Sequence, residues 1–433
     1  DPVVVRALSG LYGPAAAGID AANNEIIRRL DTGVPMLHEV RPAGEVVPGL
    51  DLDARVLLHC GPRIDWARVC DPLRRSMRAA VVAEGWADDV AGADRLLADG
   101  EVALEPANLH SAVVPMATSI GPSAPVFVVR MDEGDTTAYS AVNQGPGNVA
   151  WFGRDTDEAI ARLVLLRDVV GPALADVLAS SGPLDVFSLA GQGVQMGDDV
   201  HMRTQASTNL FIRAMLPHLV ELDAAVRRPV AEFLSSNHLF FLNIAMAAAK
   251  SLTLWAEQVD GGSIITTMSR NGTDFGVRLA GSDTWHITDA PPIGDALYYA
   301  DQGPETSAPD IGDSAVLELV GLGGPAAAGS PAVAAFLGGT MADAARATEE
   351  MAAICVAGST KFKLPTLSFR GTPLGVDVRR VVELGITPKV NTGILHASAG
   401  TGQVGAGVAT APVECFREAL LDLTRRVAPA YAA

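Results

Sequence analysis

The stretch NHLFFLNIAMAAAKSLTLW, residues 237–255, decides the class of fold to which the chain belongs. It is apolar over nearly the length that crosses a bilayer, so it predicts either a membrane span or a helix buried in a protein core. Asn237, His238, Asn243 and Lys250 interrupt it, and polar groups are costly at the centre of a bilayer. We therefore interpret the stretch as a buried helix of a soluble protein and expect no membrane partner.

The composition is that of a packed enzyme rather than a disordered chain. Of 433 residues, 48% are hydrophobic and 19% are charged. The length favours two or three domains with sizeable cores. Aromatic residues make up only 5%, and glycines number 43, so the cores must rely on small and aliphatic side chains.

The charge and the cysteines exclude several classes of function. A formal net charge of -18 repels phosphate backbones, so we expect no nucleic-acid partner. It does not exclude a small anionic substrate, because a few buried basic residues can reverse the potential inside a cleft. The four cysteines show no C-x-x-C spacing, and no basic segment precedes an apolar one at the N-terminus. We expect no cofactor, no metal, and a cytoplasmic location.

The periodicity predicts three parts. The first, residues 1–150, reads as helical to about Val47, with a stop at Gly33, and then carries strands at 54–62, 124–132 and 136–143 separated by a helix. The second, residues 151–260, is mostly helical. It begins with a capping-box-like Asp155 and Glu158, and a break or kink is expected at Pro172.

The third part, residues 261–433, begins with SIITTMSRNGTDFGVRLAG (residues 263–281), which predicts a hairpin with its turn at Asn271 and Gly272. A loop is expected over 290–313, and helices are expected over 342–357 and 412–426. The predicted fold is therefore mixed α/β (α+β) and multi-domain, with a helical domain between two α/β portions.

A glycine-rich stretch, NTGILHASAGTGQVGAG, occupies residues 391–407. Gly400, Gly402 and Gly405 have the G-x-G-x-x-G spacing of a dinucleotide-binding turn. That fingerprint follows a strand within a βαβ unit and needs an acidic residue about 20 positions on. Here only one further helix is predicted, and the nearby acids, Glu414 and Glu418, lie inside it. Two interpretations remain, an anion cradle just before a helix N-terminus and a close packing of backbone against backbone.

Two further motifs place ionisable residues close together. QMGDDVHMRT (residues 195–204) carries Asp198 and His201, which would share one face of a helix and form an acid–base pair; the alternative is a solvated helix start. On the predicted hairpin, Arg270 and Asn271 are suited to hold a carboxylate or phosphate, unless they only build the turn. His59 and His110 are second candidates, although a histidine at a strand end is more often structural.

Several long blocks resemble one family. They include EVRPAGEVVPGL at residue 39, LLHCGPRIDWARVCDPLR at residue 57, QMGDDVHMR, SRNGTDFG and TPKVNTGILHASAGTGQVGAGVATAPVECF at residue 387. Together they resemble the AllG/YlbE-like subunit family of bacterial oxamate carbamoyltransferase, from about Glu39 to Phe416.

The resemblance implies carbamoyl transfer at the end of purine and allantoin breakdown, in which oxalurate and phosphate give oxamate and carbamoyl phosphate. It also implies an oligomer, either of identical chains or with an FdrA-like subunit. The S-T-R-T and H-P-x-Q motifs of aspartate and ornithine carbamoyltransferases do not occur in the sequence, so any carbamoyl phosphate site is a different solution.

On this basis we assign site residues as hypotheses. Proton transfer falls to His201 oriented by Asp198, with His59 in reserve, and Arg270 acts beside them on the substrate. The remaining expected anion-binding residues are Asn271, Lys389, Asn391, Thr392, Gly400, Gly402, Gln403, Gly405 and His110. Two alternatives stay open: a non-catalytic structural or assembly subunit, and a related ligase or hydrolase acting on another ureido or amide compound.

Overall fold

The computed structural model describes residues 1–432 and places the helix predicted from residues 237–255 in the interior of the fold. This helix spans Phe240–Ala256, and every one of its 17 residues except Leu254 is buried. The prediction of a buried core helix is confirmed. Among the described residues, no single helix is long and apolar enough to cross a membrane; one bent pair, Ala224–Ser236 with Phe240–Ala256 at 80°, passes by length and composition only.

Helices and strands alternate irregularly along the chain. The helices are α1 Pro2–Tyr12, α2 Ala16–Thr32, α3 Ala43–Val46, α4 Asp71–Ala83, α5 Val90–Ala98, α6 Asp157–Leu165, α7 Gly171–Ser181, α8 Val186–Gln195, α9 Gln205–Leu219, α10 Ala224–Ser236, α11 Phe240–Ala256, α12 Pro331–Phe336, α13 Met341–Ile354, α14 Val378–Leu384 and α15 Val413–Val427. The strands are β1 Met36–Pro42, β2 Val56–His59, β3 Ala103–Pro106, β4 Pro125–Met131, β5 Thr136–Ala141, β6 Leu184–Asp185, β7 Ile265–Asn271, β8 Asp274–Leu279, β9 His286–Asp289, β10 Ile293–Tyr298, β11 Ile311–Gly312, β12 Cys355–Leu364, β13 Arg370–Val376, β14 Lys389–Leu395 and β15 Gln403–Thr410.

The strands form several small sheets, which confirms the mixed α/β (α+β) class. Antiparallel sheets have the orders β5-β4-β1-β6, β11-β7-β8-β9 and β10-β15-β14, and β12 pairs antiparallel with β13. The strands β2 and β3 pair in parallel. Helix α11 packs against β4 and β5 on one side and against the 3₁₀ segment Ser314–Val320 on another. The candidate site residues described below lie on these elements and on the loops between them.

Local sequence patterns predicted most helices and strands, and the differences between prediction and structure have physical causes. The strand β1 lies inside the stretch read as helical, because pairing with β4 overrides the local pattern. The helix α6 is capped by Thr156, whose hydroxyl accepts from Ala159 N, and not by Asp155. A π-helical turn, Leu166–Val170, replaces the break expected at Pro172. The expected loop over 290–313 contains β10, an edge strand of the sheet it forms with β15 and β14.

The division into three domains stays a prediction. Within the described residues, α1 packs against α15, and the core formed by Leu11, Ile19, Phe275 and Phe416 unites the two ends of the chain. The middle helices α6 to α11 cover residues 157–256 with only the two-residue β6 among them, as the periodicity predicted.

Lys250 on α11 offers a test of how the core is stabilised. Its side chain is fully buried, and no hydrogen-bond partner reaches its Nζ among residues 1–432. Burial lowers the pKa of Lys250. Because a buried polar group without a partner costs about 1–3 kcal/mol, Lys250→Met should raise the free energy of unfolding by about that amount in chemical denaturation.

Lys250→Ala is the matched control, because it removes the amine but also leaves a cavity, and it should lower stability. A lower unfolding free energy for the methionine variant would contradict the interpretation of Lys250 as an uncompensated core amine.

Candidate active site

A buried ion pair joins the strands that carry the site. Arg270 on β7 is 0% exposed and binds Asp310 through two hydrogen bonds, Nε to Oδ2 at 2.7 Å and Nη2 to Oδ1 at 2.8 Å. Its Nη1 donates to Gly312 O on β11 at 2.6 Å. On β14, the Thr392 hydroxyl donates to Asp310 Oδ1 at 2.9 Å. We call Arg270, Asp310 and Thr392 the buried junction, since they connect two sheets.

This arrangement corrects two predicted roles. The guanidinium of Arg270 is engaged by protein groups on both Nη atoms and Nε, so it does not present a free fork to a substrate. The side chain of Asn271 is equally occupied: its Oδ1 accepts from Thr273 N and Asp274 N at 3.1 and 2.7 Å, and its Nδ2 donates to Pro62 O at 3.1 Å. Arg270 belongs to the buried junction, and Asn271 builds the turn of the hairpin.

Next to the buried junction, Asp313 collects hydrogen-bond donors from three parts of the chain. Its carboxylate accepts from Gly61 N at 2.9 Å, Val114 N at 3.0 Å and Asn108 Nδ2 at 3.2 Å, and also from the Ser269 hydroxyl. Burial raises the pKa of Asp313 to about 6. The residue thus fixes the segment after β11 against the end of β2.

The same segment supplies the partner of His201. Glu318 is fully buried, and its Oε1 lies 2.7 Å from His201 Nδ1. Oε1 also accepts from the backbone N–H groups of Gly324 at 3.2 Å and Asn391 at 3.1 Å. Burial raises the pKa of Glu318.

The contacts of Oε1 determine which ring nitrogen of His201 carries hydrogen. An oxygen that accepts from two backbone N–H groups acts as an acceptor toward the ring as well, so Nδ1–H is the donor. Any proton on Glu318 would then sit on Oε2, which has no hydrogen-bond partner in the described residues. With Nδ1 protonated, the neutral ring has its lone pair on Nε2.

Gly323 makes room for this pair. Its φ is +64°, in the left-handed region that glycine tolerates best, and a Cβ there would lie 2.0 Å from Glu318 Oε1 and 3.1 Å from His201 Nδ1. The loop before α9 is held by Asp199, which accepts from His201 N at 3.2 Å and Arg203 N at 2.7 Å. Asn391 Nδ2 donates to Asp199 Oδ2 at 2.5 Å, so β14 is tied to this loop.

The predicted pairing of Asp198 with His201 is wrong. The segment between α8 and α9 is not helical, so the three-residue spacing does not bring the two side chains together. Asp198 instead accepts from Ala206 N at 3.1 Å, Ser207 N at 2.7 Å and the Ser207 hydroxyl at 2.9 Å, and thereby caps the start of α9. Arg203 Nη1 also donates to Asp198 Oδ1 at 2.8 Å.

His201 lines a small cavity between the helices and the two sheets. The cavity is partly open and has a volume of about 20 Å³, enough for one water molecule. We call this space the His201 cavity. The residues that line its wall include Met116, Trp151, Phe152, Leu242, Ser314, Gly393 and Gln403. Helix α11 begins at this wall, so the positive end of its dipole lies nearby.

The remaining predicted residues lie apart from the wall or serve other contacts. His59 is fully buried; its Nδ1 donates to Cys60 O at 2.7 Å, and its Nε2 has no partner in residues 1–432. His110 bridges Pro48 O and Glu105 at 2.7 and 2.8 Å. Lys389 contacts the Thr410 hydroxyl at 3.0 Å. Proton transfer by His59 and anion binding by His110 and Lys389 stay predictions.

The glycine-rich stretch is a β-hairpin and not a loop before a helix. Gly400 and Gly402 have φ of +60° and +97° and build the turn region between β14 and β15. Gly405 lies on β15 opposite β10, where a Cβ would come within 2.5 Å of Leu297 O. Backbone geometry therefore explains the three glycines. Helix α15 begins only after β15, at Val413 with Pro412 as its N-cap, one residue later than the first helical position predicted.

Sequence reasoning missed Glu318 and Asp310, which are the charged partners of the two central residues. Asp310 fell within the stretch read as loop, and neither residue belongs to a conspicuous motif. Asp199 lies inside the motif QMGDDVHMRT, but the pairing with His201 was assigned to its neighbour Asp198. The signal that could have found Glu318 is an acidic residue within an otherwise apolar run, SAVLELVGL (residues 314–322), which predicts a partner for a buried charge.

We expect Arg270→Ala to destabilise the protein by about 3–5 kcal/mol, because it leaves Asp310 buried without its counter-ion. Chemical denaturation measures this directly. The matched control is Arg228→Ala on α10, whose side chain is 85% exposed and whose pair with Glu232 should contribute less than about 1 kcal/mol. Equal stability of the two variants would contradict the structural role of the buried junction.

His59 should make stability depend on pH. Burial lowers its pKa from 6.5 to about 4, so its contribution to stability is present above pH 6.5 and is lost as the pH falls through 4. The unfolding free energy of the wild type minus that of His59→Asn should therefore fall by about 3 kcal/mol over this window. Curves that stay parallel from pH 7 to pH 4 would exclude a neutral, desolvated His59.

Comparison with known proteins places the chain in a family. A family model described as oxamate carbamoyltransferase subunit AllG matches residues 102–314. The oxamate carbamoyltransferase subunit AllG of Escherichia coli (strain K12) is 38% identical over 92% of this chain and 96% of its own length. The uncharacterized protein YahG of the same organism is 34% identical over 98% of this chain and 90% of its own.

The crystal structure of a conserved protein of unknown function from Enterococcus faecalis V583 has the same fold. Its TM-score is 0.92 at 32% identity, with 95% of this chain and 99% of that chain covered. These relationships extend over nearly the whole length and confirm the resemblance seen in the motifs. The chain belongs to the family of the oxamate carbamoyltransferase subunit AllG.

Proposed function

We propose that the chain is a subunit of a carbamoyltransferase that acts on a small ureido anion such as oxalurate, with phosphate or carbamoyl phosphate as the second substrate. The name of the related E. coli subunit supports the reaction class. The observation that carries the proposal is the His201–Glu318 pair at the wall of the His201 cavity, because a buried carboxylate holds the ring with Nδ1–H as donor and leaves Nε2 as a base.

The chemistry of carbamoyl transfer needs such a base. When phosphate attacks the carbamoyl carbon of oxalurate, a P–O–C bond forms, the C–N bond to the oxamate part breaks, and the leaving nitrogen gains the proton that the phosphate hydroxyl loses. His201 Nε2 is suited to move this proton. The Ser314 hydroxyl also lines the cavity and accepts weakly from Arg270 Nη1 at 3.5 Å, so its own hydrogen is available to the oxyanion of the tetrahedral intermediate.

The size of the cavity bears on how the reaction starts. A space of about 20 Å³ holds one water molecule and not carbamoyl phosphate, so the wall must move before substrate binds. Assembly with partner subunits is one way to open or complete the site, and the relative's description as a subunit supports an enzyme of several chains. An FdrA-like chain is the partner that we propose.

A structural or assembly subunit is the second candidate. The observation that favours it is the complete engagement of Arg270 by protein groups, since the one strong buried cation of the site then contributes to folding rather than to substrate binding. In this case the catalytic groups would belong to another chain of the enzyme.

The two candidates predict different activities for His201→Gln in the assembled enzyme. If His201 moves the proton, kcat for phosphate-dependent conversion of oxalurate should fall by about 10²–10⁴-fold, with the melting temperature retained. Glu318→Gln should lower kcat less, because the neutral amide can keep the ring in place but stabilises its charged form poorly. His218→Gln, at a partly exposed position on α9 bonded to Ser180, is the matched control.

Full turnover by the assembled His201→Gln enzyme would contradict the catalytic assignment and support the assembly role. Turnover that does not depend on phosphate would contradict transfer and indicate hydrolysis.

A further inference from the structure

The charges around the His201 cavity leave an anionic substrate without an obvious cation. Asp199, Asp310 and Glu318 are buried close to it, and the guanidinium of Arg270 is committed to Asp310. A phosphate group carries up to two negative charges and needs cationic or N–H donors to leave water. The donors must therefore come from residues near the opening of the cavity, which we call its rim, and not from the buried residues around it.

Arg154 lies at this rim. It follows the wall residue Phe152 by two positions, and its side chain runs along Gly402, the residue before the wall residue Gln403. A Cβ at Gly402 would come within 3.2 Å of Arg154 Cδ. The guanidinium thus contacts the β14–β15 turn, while the backbone of Arg154 follows the 3₁₀ turn Ala150–Phe152.

The bonding of Arg154 is incomplete in a way that is unusual for a half-buried arginine. Its Nη1 donates to Thr401 O at 2.7 Å. Its Nε is buried and has no hydrogen-bond partner, and no carboxylate pairs with it among the described residues. A buried guanidinium N–H without an acceptor is costly, so the geometry favours an acceptor that arrives from outside the chain.

The neighbouring arginines differ in this respect. Arg75 binds Asp71 at 2.7 Å and Asp155 at 3.2 Å, and Arg78 binds Asp155 at 2.8 Å and Asp94 at 3.0 Å. Their charges are compensated by carboxylates, whereas Arg154 has only a carbonyl. The positive charge available to a ligand at this rim is therefore that of Arg154.

We infer that Arg154 is the residue that binds the phosphate group, either of inorganic phosphate or of carbamoyl phosphate, at the mouth of the His201 cavity. The inference rests on the proposed function for the identity of the anion. The planar fork of Arg154 can give two parallel N–H bonds to phosphate oxygens, and the contact to Thr401 O couples the bound anion to the β14–β15 turn. Arg154 is a specificity-determining residue for the phosphate substrate.

Binding of inorganic phosphate to the full chain, with and without its partner subunits, tests the inference by calorimetry at constant ionic strength. Arg154→Met should weaken phosphate binding at least 10-fold, and Arg154→Lys should lie between the two, since it keeps the charge but loses the fork. Arg228→Met, at an exposed site on α10, is the matched control. In the assembled enzyme, KM for phosphate should rise at least 10-fold for Arg154→Met while KM for oxalurate changes less than 3-fold.

Phosphate binding by Arg154→Met equal to that of the wild type would overturn the inference, and so would absence of phosphate binding by the wild type in both forms. An equal rise of both KM values would also overturn it, because it would indicate a general structural effect. If the wild type binds phosphate through Arg154 but the assembled enzyme shows no carbamoyl transfer, the proposed function fails and the anion site stands.

Discussion

The ion pair between Arg270 and Asp310 is the interaction on which the site depends. Removing both charges from water is expensive, and the structure offsets the cost with two short hydrogen bonds between them and further bonds to Gly312 O and the Thr392 hydroxyl. These contacts join β7, β11 and β14. The segment that follows β11 is thereby fixed in position. It contains both Asp313 and Glu318, which it places next to their hydrogen-bond partners.

Each buried acid near the site is compensated in a different way. Asp310 has a guanidinium, Asp313 has backbone and hydroxyl donors, Asp199 has the N–H groups of its own loop and the amide of Asn391, and Glu318 has His201 with two backbone N–H groups. Burial raises the pKa values of Asp313 and Glu318. The hydrogen-bond donors of the interior are thus occupied by its own buried carboxylates. For this reason we place recognition of a substrate phosphate at the rim of the His201 cavity.

Local sequence patterns predicted the elements that depend on local physics. The apolar stretch at 237–255 became α11, and the Asn271–Gly272 pair marked the hairpin turn, because burial pattern and turn chemistry are readable over a few residues. The same reasoning selected His201 as a candidate site residue, which stays a prediction. It assigned the wrong carboxylate, since the three-residue spacing to Asp198 has meaning only in a helix, and Glu318 is 117 residues away. Contacts of this range come from packing of the sheets, which one sequence does not encode in any local pattern.

The glycine-rich stretch likewise depends on a contact distant in sequence. Gly405 lies close to β10, and β10 is a strand in a segment that was predicted to be a loop.

The central claim is that Glu318 holds His201 with hydrogen on Nδ1 and a free lone pair on Nε2. Nitrogen-15 NMR of the protein labelled at histidine, with His201→Gln used for assignment, reports the tautomer of this ring directly. His201 should show an Nδ1–H signal at pH 8, and Glu318→Gln should shift it, as should added phosphate together with oxamate. An Nε2–H tautomer, or a His201 signal that is the same in Glu318→Gln, would contradict the account.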